Sequence, residues 1–279
     1  FMKKRQLYQK NMRLRKKLTP LIFFNLLLLT GLFWISCDNE EALIGLQEED
    51  QIPFRLISAN KMSKPSKTNI SSLISSSGLD FPLSQMKYDV QIWEITYETL
   101  YKGSNIVASG MAYIPLGDGY KFSYLTFAHG TIAANNEAPS EMSMVDIQTF
   151  LYAAMASTGL ITVVPDLIGF GSSKEIMHPY YVEETSALAV IDGLRAVREL
   201  LKQEEINSDE ELYLSGYSGG GYVTMATHKY IEEYDLEYFD LKASFPAAGG
   251  YDMKGVRDFF FDQEVYETPY FMAYIAESY

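Results

Sequence analysis

Short apolar segments alternate with longer amphipathic segments between residues 88 and 245. The first two apolar segments, 88–99 and 106–114, alternate in polarity and flank a Lys-Gly-Ser-Asn turn, so they predict an antiparallel hairpin. The later segments predict strands at 124–128, 161–164, 212–214 and 243–245, and helices at 145–157, 185–201 and 218–234. Strands and helices that alternate in this way indicate parallel βαβ units. The sequence therefore predicts an α/β protein whose mostly parallel sheet begins with a hairpin.

This order of elements is typical of the α/β-hydrolase fold. That fold has three strands after the helix at 218–234, whereas the sequence predicts only one, and the chain stops at Tyr279 in an aromatic, helical segment. We therefore expect a sheet that is incomplete at its C-terminus and the start of a helical cap. The predicted organisation is a signal peptide at 1–36, a tether and N-terminal arm at 37–81, a partial hydrolase core at 82–250 and the start of the cap at 251–279.

The N-terminal residues have the parts of a bacterial export signal. A basic patch at 13–17 precedes a largely apolar segment at 21–35 and then Ser36-Cys37. That segment is shorter than the roughly 20 residues that span a bilayer, so a cleaved signal is favoured over a transmembrane anchor. The sequence Trp34-Ile35-Ser36-Cys37 resembles the lipobox of bacterial lipoproteins, in which the cysteine becomes the lipidated N-terminus. The acidic run at 38–41 resembles the export tag of Bacteroidetes surface lipoproteins. We therefore expect an exported protein, anchored through Cys37 to the cell envelope, with the outer-membrane surface as a candidate location.

Charge and cysteine content exclude two kinds of binding. All 36 acidic residues lie after Cys37, where only 15 of the 23 basic residues remain. Nucleic acid is not an expected partner, because phosphate binding requires a basic surface. The single cysteine excludes an internal disulfide and a cysteine-built metal site, and the sequence predicts neither a metal nor a cofactor.

The strongest chemical signal is Gly216-Tyr217-Ser218-Gly219-Gly220, which follows a predicted strand and opens a predicted helix. A G-x-S-x-G motif at a strand-to-helix turn is the signature of a nucleophile elbow. Its glycines let the strand fold back closely against the helix, and its serine stands at the helix N-terminus, where N–H groups stabilise an oxyanion. Ser218 is therefore the predicted nucleophile. The alternative is a glycine turn without chemistry.

Backbone N–H groups from two segments are predicted to form the oxyanion hole. One donor is the N–H group of Gly219, directly after the nucleophile. The other comes from the loop His129-Gly130-Thr131, which follows an earlier strand, and either Gly130 or Thr131 is expected to supply it. His129 itself is expected to shape this loop through hydrogen bonds to the backbone.

The general base of the predicted triad is not evident in the sequence. The fold places this histidine late in the chain, after the nucleophile and the acid. Of three histidines only His228 follows Ser218, and ten residues of helix separate the two by about 15 Å. His178 lies in a loop and is interpreted as structural. We therefore expect the acid and the base beyond Tyr279, and we expect the 279-residue chain to be inactive by itself.

Four motifs together resemble the secretory lipases, the family typified by fungal lipase A enzymes. In chain order they are Val164-Pro165-Asp166-Leu167-Ile168-Gly169-Phe170-Gly171, Ile191-Asp192-Gly193-Leu194-Arg195-Ala196, Gly216-Tyr217-Ser218-Gly219-Gly220 and Ala247-Ala248-Gly249-Gly250-Tyr251-Asp252. The resemblance extends from residue 88 to the end. It implies a helical cap after the strand that follows the elbow, with the catalytic Asp and His beyond that cap. Family lipases carry an acidic residue in the oxyanion loop, where this chain has His129-Gly130-Thr131.

The motifs and the resemblance predict a serine carboxylic-ester hydrolase, either a lipase or an esterase, that acts on acyl-ester or lipid substrates through an acyl-enzyme on Ser218. Two other interpretations stay open. A peptidase of the same fold would usually bring a propeller or a site for the substrate amine. A surface lipoprotein that binds without catalysis would use aromatic side chains, and the chain has 21 tyrosines.

The lipid anchor can be tested by changing Cys37→Ser. We expect the variant to leave the membrane fraction and to incorporate no radiolabelled fatty acid, because stable anchoring needs more than one acyl chain and the lipobox cysteine carries all of them. Absence of label from the wild type would contradict the anchor.

Overall fold

The computed structural model describes residues 54–117, 119–234, 236, 238–265 and 268–279. The predicted signal peptide, Cys37 and the first part of the predicted tether lie outside these residues. Within the described ranges no helix is long and apolar enough to cross a membrane.

Seven strands and six α-helices are formed by the described residues, joined by loops and short 3₁₀ turns. In chain order they are β1 (Leu56–Lys61), α1 (Lys67–Ser77), β2 (Asp89–Tyr101), β3 (Ser104–Leu116), β4 (Phe122–Ala128), α2 (Ile147–Ser157), β5 (Leu160–Pro165), α3 (Glu183–Gln203), β6 (Ser208–Tyr217), α4 (Gly219–Tyr234), β7 (Asp240–Ala247), α5 (Met253–Phe261) and α6 (Tyr270–Ser278).

The strands form one sheet in the order β1-β2-β3-β5-β4-β6-β7. The pairs β1/β2, β2/β3 and β3/β5 are antiparallel, whereas β5/β4, β4/β6 and β6/β7 are parallel. A two-residue turn joins β2 to β3, with φ of 49° at Lys102 and 75° at Gly103. Left-handed angles at both positions match the twist of paired strands, which makes this turn a tight hairpin connection. The predicted α/β fold and its antiparallel hairpin are confirmed. The sheet is mixed and not mostly parallel as predicted, because the unpredicted β1 precedes the hairpin and three of the six strand pairs are antiparallel.

Helices cover both faces of the sheet. Helices α3 and α4 pack on one face, with Tyr97, Ile191 and Leu214 in the larger apolar cluster. Helices α1 and α2 pack on the other face, over a second cluster. A strand covered on both faces has apolar residues throughout, which explains the continuous apolar sequence of β5.

Strand β1 and helix α1 were not predicted, and they fold part of the region 37–81 that was expected to be a tether and N-terminal arm. Helix α1 buries only Ile70 and Ile74, so its sequence lacks a wide apolar face. Ser66 caps its N-terminus by accepting a hydrogen bond from the Asn69 N–H, and Gly78 ends it in the left-handed conformation. These capping residues were the available signal.

A buried ionic cluster joins the start of β1 to helix α3. Asp192 on α3 is fully buried, 3.1 Å from Arg55 Nε and 3.0 Å from the Arg195 guanidinium. Burial raises the pKa of Asp192, and the two arginines oppose that rise. Glu199, about two turns further along α3, accepts hydrogen bonds from the Arg55 and Leu56 N–H groups.

Removal of the carboxylate from this cluster should destabilise the fold. In Asp192→Ala we expect the free energy of unfolding to fall by about 3 kcal/mol or more, because Arg55 keeps a buried, uncompensated charge. The matched control is Asp258→Ala, which breaks the exposed pair with Arg257 and should cost less than about 1 kcal/mol. Urea denaturation measures both, and equal losses would contradict a special role for the buried cluster.

Candidate active site

Ser218 lies at a sharp turn between β6 and α4. Strand β6 ends at Tyr217, helix α4 begins at Gly219, and Ser218 between them has a φ of 55°. A serine rarely adopts this left-handed conformation, so the surrounding structure must hold it there. The Ser218 N–H donates to the Ala247 carbonyl at the end of β7, 2.9 Å away. The predicted strand, turn and helix are present, although the helix begins one residue later than the predicted Ser218.

Two glycines permit this turn. A Cβ atom on Gly216 would collide with the Gly220 carbonyl and would lie 2.5 Å from Thr224 Oγ1. A Cβ atom on Gly220 would collide with the Ala128 carbonyl at the end of β4. Both positions lack room for any side chain, so the motif glycines are needed for close approach of backbone to backbone.

The loop His129-Gly130-Thr131 lies against this turn. A Cβ atom on Gly130 would lie 3.6 Å from the Tyr217 carbonyl oxygen and 3.9 Å from Ser218 Cβ. A Cβ atom on Gly219 would lie 3.3 Å from the Thr131 backbone nitrogen. Of the two residues predicted as the second oxyanion donor, Thr131 has its amide close to Gly219, whereas Gly130 lies against Tyr217 and Ser218.

His129 holds the loop in place. Its Nδ1 atom lies 2.7 Å from the Gly130 carbonyl oxygen, and its Nε2 atom lies 3.0 Å from the Asp166 carbonyl oxygen. Both partners are backbone groups, as expected for a residue that shapes the loop. His129 thus joins the end of β4 to the segment that follows β5.

Asp166, directly after β5, is a second anchor that the sequence analysis did not single out as functional. It is fully buried, and its carboxylate accepts hydrogen bonds from Ser109 Oγ, Ser140 Oγ and the Ser140 N–H at 2.5 to 2.8 Å. Burial raises the pKa of Asp166, and these hydrogen bonds oppose the rise. The Asp166 carboxylate therefore joins the end of β5 to β3, through Ser109, and to the loop that contains Ser140. Its place in the first secretory-lipase motif was the only signal available in the sequence.

An aromatic cleft adjoins Ser218. Fourteen residues line it, among them Thr131, His178, Tyr180, Gly219 and Tyr222, and its enclosed volume of about 10 Å³ has room for about one water molecule. Helix α6 covers one side. The Tyr274 hydroxyl donates to the Ile132 carbonyl, 3.2 Å away, and the Tyr180 N–H donates to Ser278 Oγ, 2.8 Å away.

The three histidines make their hydrogen bonds to groups other than the Ser218 hydroxyl. His178 donates from Nδ1 to the Ile168 carbonyl, 2.6 Å away, and burial lowers its pKa to about 4. His228 Nδ1 lies 2.8 Å from Ser244 Oγ on β7. Across the part of the chain described here, no cluster of three histidine, cysteine or acidic residues could hold a metal ion.

Comparisons with known proteins find similarity to the same family and fold that the motifs indicate. The model of the secretory lipase family matches residues 135–241. A protein of Legionella pneumophila described as a candidate hydrolase is 26% identical, with a TM-score of 0.71 over 80% of this chain and 60% of its own. The rice cell wall degrading esterase LipA from Xanthomonas oryzae is 30% identical, with a TM-score of 0.65 over 72% of this chain and 51% of its own.

The predicted resemblance to secretory lipases and the predicted α/β-hydrolase fold are therefore confirmed. A search of curated protein sequences gave no match. The chain spans between one half and three fifths of the length of these two structures.

Burial of His178 predicts that acid destabilises the fold. An unfolded chain protonates this ring near pH 6.5, whereas the folded chain resists protonation down to about pH 4, so stability falls as the pH falls between these values. Replacement His178→Asn should reduce the loss of unfolding free energy between pH 7 and pH 4 by about 2 to 3 kcal/mol.

Urea denaturation at a series of pH values measures this loss. The control is His228→Asn, which removes a histidine from the surface of α4. Equal effects of the two substitutions would show that the acid sensitivity does not come from the burial of His178.

Proposed function

We propose that this protein is a serine carboxylic-ester hydrolase, a lipase or esterase, whose nucleophile is Ser218. The observation that carries this proposal is the left-handed backbone of Ser218, held between β6 and α4 beside the loop His129-Gly130-Thr131. Strain of this kind persists where the surrounding structure enforces it, and it clusters at active sites. The match to the secretory lipase family and the likeness to a cell wall degrading esterase support the same chemistry.

The reaction would proceed through an acyl-enzyme. The Ser218 hydroxyl would attack the ester carbonyl carbon, its proton would pass to a general base, and the carbonyl oxygen would become an oxyanion. The N–H groups of Gly219 and Thr131 would stabilise this oxyanion, because the first N–H groups of a helix have no partner within the helix and the Thr131 amide lies beside them. Collapse of the intermediate expels the alcohol, and water then hydrolyses the acyl-serine.

A residue other than His129, His178 and His228 is proposed as the general base. His129 and His178 each donate to a backbone carbonyl, and His228 contacts Ser244 on β7. By themselves the residues described here would leave Ser218 an ordinary alcohol, so we propose that they are inactive without that base.

Among the alternatives, the contacts of Ser218 favour an enzyme over a protein that only binds. A binding surface made of tyrosines has no need for a serine in a left-handed turn, or for glycines at Gly216 and Gly220 where every side chain would collide. The acyl group would come from a lipid or another small ester. Anchoring to the cell envelope through Cys37 would place the enzyme beside external substrates.

Replacement of the nucleophile is the direct test. In the full-length protein, Ser218→Ala should lower kcat for p-nitrophenyl butyrate by at least about 10³-fold, because nucleophile, base and oxyanion hole act as a unit. A fluorophosphonate probe should label the wild type on Ser218 and should not label the variant.

The matched control is Ser244→Ala, since Ser244 is the serine whose hydroxyl contacts a histidine. We expect this variant to keep wild-type turnover and labelling. Loss of activity in Ser244→Ala with full activity in Ser218→Ala would overturn the assignment and would make Ser244 and His228 the reacting pair.

A further inference from the structure

The Thr131 side chain reaches the same place as its backbone amide. A Cβ atom on Gly219 would lie 2.6 Å from Thr131 Oγ1, closer than it would lie to the Thr131 nitrogen at 3.3 Å. The hydroxyl and the amide of one residue therefore both converge on the helix residue that follows Ser218. A side chain on Gly219 would displace this hydroxyl.

The Thr131 hydroxyl has a defined partner. Thr131 Oγ1 and the Tyr180 hydroxyl are 2.6 Å apart, which is a short O–H···O hydrogen bond. A threonine hydroxyl has one proton and two lone pairs, and a phenol is the stronger donor of the two groups. When Tyr180 donates to Thr131, the Thr131 proton is left to point at a second acceptor.

Tyr180 is held rigidly enough to direct that proton. Its ring is buried, and its centroid lies 4.3 Å from that of Tyr181, 5.6 Å from that of Tyr274 and 6.4 Å from that of Phe271. Its N–H group donates to Ser278 Oγ on α6. A donor contributes most to an oxyanion hole when its direction is set before the reaction, and this packing sets the direction of the Tyr180 hydroxyl.

We infer that the Thr131 hydroxyl is a third donor of the oxyanion hole and that Tyr180 is the positioning residue that turns it toward the developing oxyanion. This inference rests on the proposed function, because the hole matters only if Ser218 forms a tetrahedral intermediate. In this arrangement the Thr131 amide and hydroxyl both donate to the substrate oxyanion. Tyr180 acts only through Thr131 and does not contact the reacting atoms.

Isosteric substitutions in the full-length protein test this arrangement. Thr131→Val removes the hydroxyl and keeps the amide, so kcat for p-nitrophenyl butyrate should fall about 10²-fold with KM changed less than about threefold. Thr131→Ser restores the hydroxyl and should recover most of kcat. Tyr180→Phe keeps the ring packing and should lower kcat by about tenfold or less, because the hydroxyl of Thr131 remains but is no longer directed.

The double variant separates positioning from packing. If Tyr180 acts only through Thr131, Thr131→Val with Tyr180→Phe should have the kcat of Thr131→Val alone. The matched control is Thr158→Val, whose hydroxyl contacts only the Met155 carbonyl at the C-terminus of α2 and which should keep wild-type kcat. Thermal unfolding should show each variant folded at the assay temperature.

Two results would overturn the inference while the proposed function stands: wild-type kcat in Thr131→Val, or multiplicative losses in the double variant. A wild type that neither hydrolyses esters nor is labelled on Ser218 would overturn the proposed function and this inference together. The two failures are distinguishable, because only the second removes the Ser218-dependent activity of the wild type.

Discussion

The positive φ of Ser218 is the constraint from which the geometry of the site follows. A chain that leaves β6 and enters α4 within one residue must reverse direction so tightly that backbone packs on backbone. That contact forces glycine at Gly216 and Gly220, and it brings the end of β4 against the first turn of α4. The loop that follows β4 therefore passes beside Gly219, where Thr131 lies close to the helix start.

Buried polar groups keep that loop in position. The Asp166 carboxylate binds Ser109 and Ser140, and the His129 ring spans from its own loop to the Asp166 carbonyl. Each group costs free energy to bury, and each recovers it only if all its partners are in place. The loop beside Ser218 is therefore held by a hydrogen-bond network through Asp166 and His129, and by aromatic packing at Tyr180.

The sequence predicted the sheet better than it predicted the supports of the site. Alternating polarity in β2, the apolar run in β5 and the glycines around Ser218 each have a local physical cause, so they could be recognised without the fold. The contacts of Asp166 and Tyr180 could not, since their partners lie 26 to 98 residues away and nothing local marks them.

Strand β1 and helix α1 were missed for a related reason. Only two residues of α1 are buried, and β1 is fixed by Arg55 and by its hydrogen bonds to Glu199 on a distant helix. Their stability comes from tertiary contacts that a periodicity cannot reveal. β1 and α1 thus lie within the region 37–81 that was predicted to be a tether and N-terminal arm.

The contact of α6 with Ile132, directly after the loop His129-Gly130-Thr131, bears on the order in which the molecule is expected to fold. The β2/β3 hairpin closes across two residues, whereas the Tyr274 bond to Ile132 joins residues 142 positions apart. The entropy cost of loop closure grows with the length of chain enclosed. Closing the hairpin therefore costs less entropy than closing the contact between Tyr274 and Ile132. We therefore expect the aromatic cleft to assemble late, after the sheet has formed.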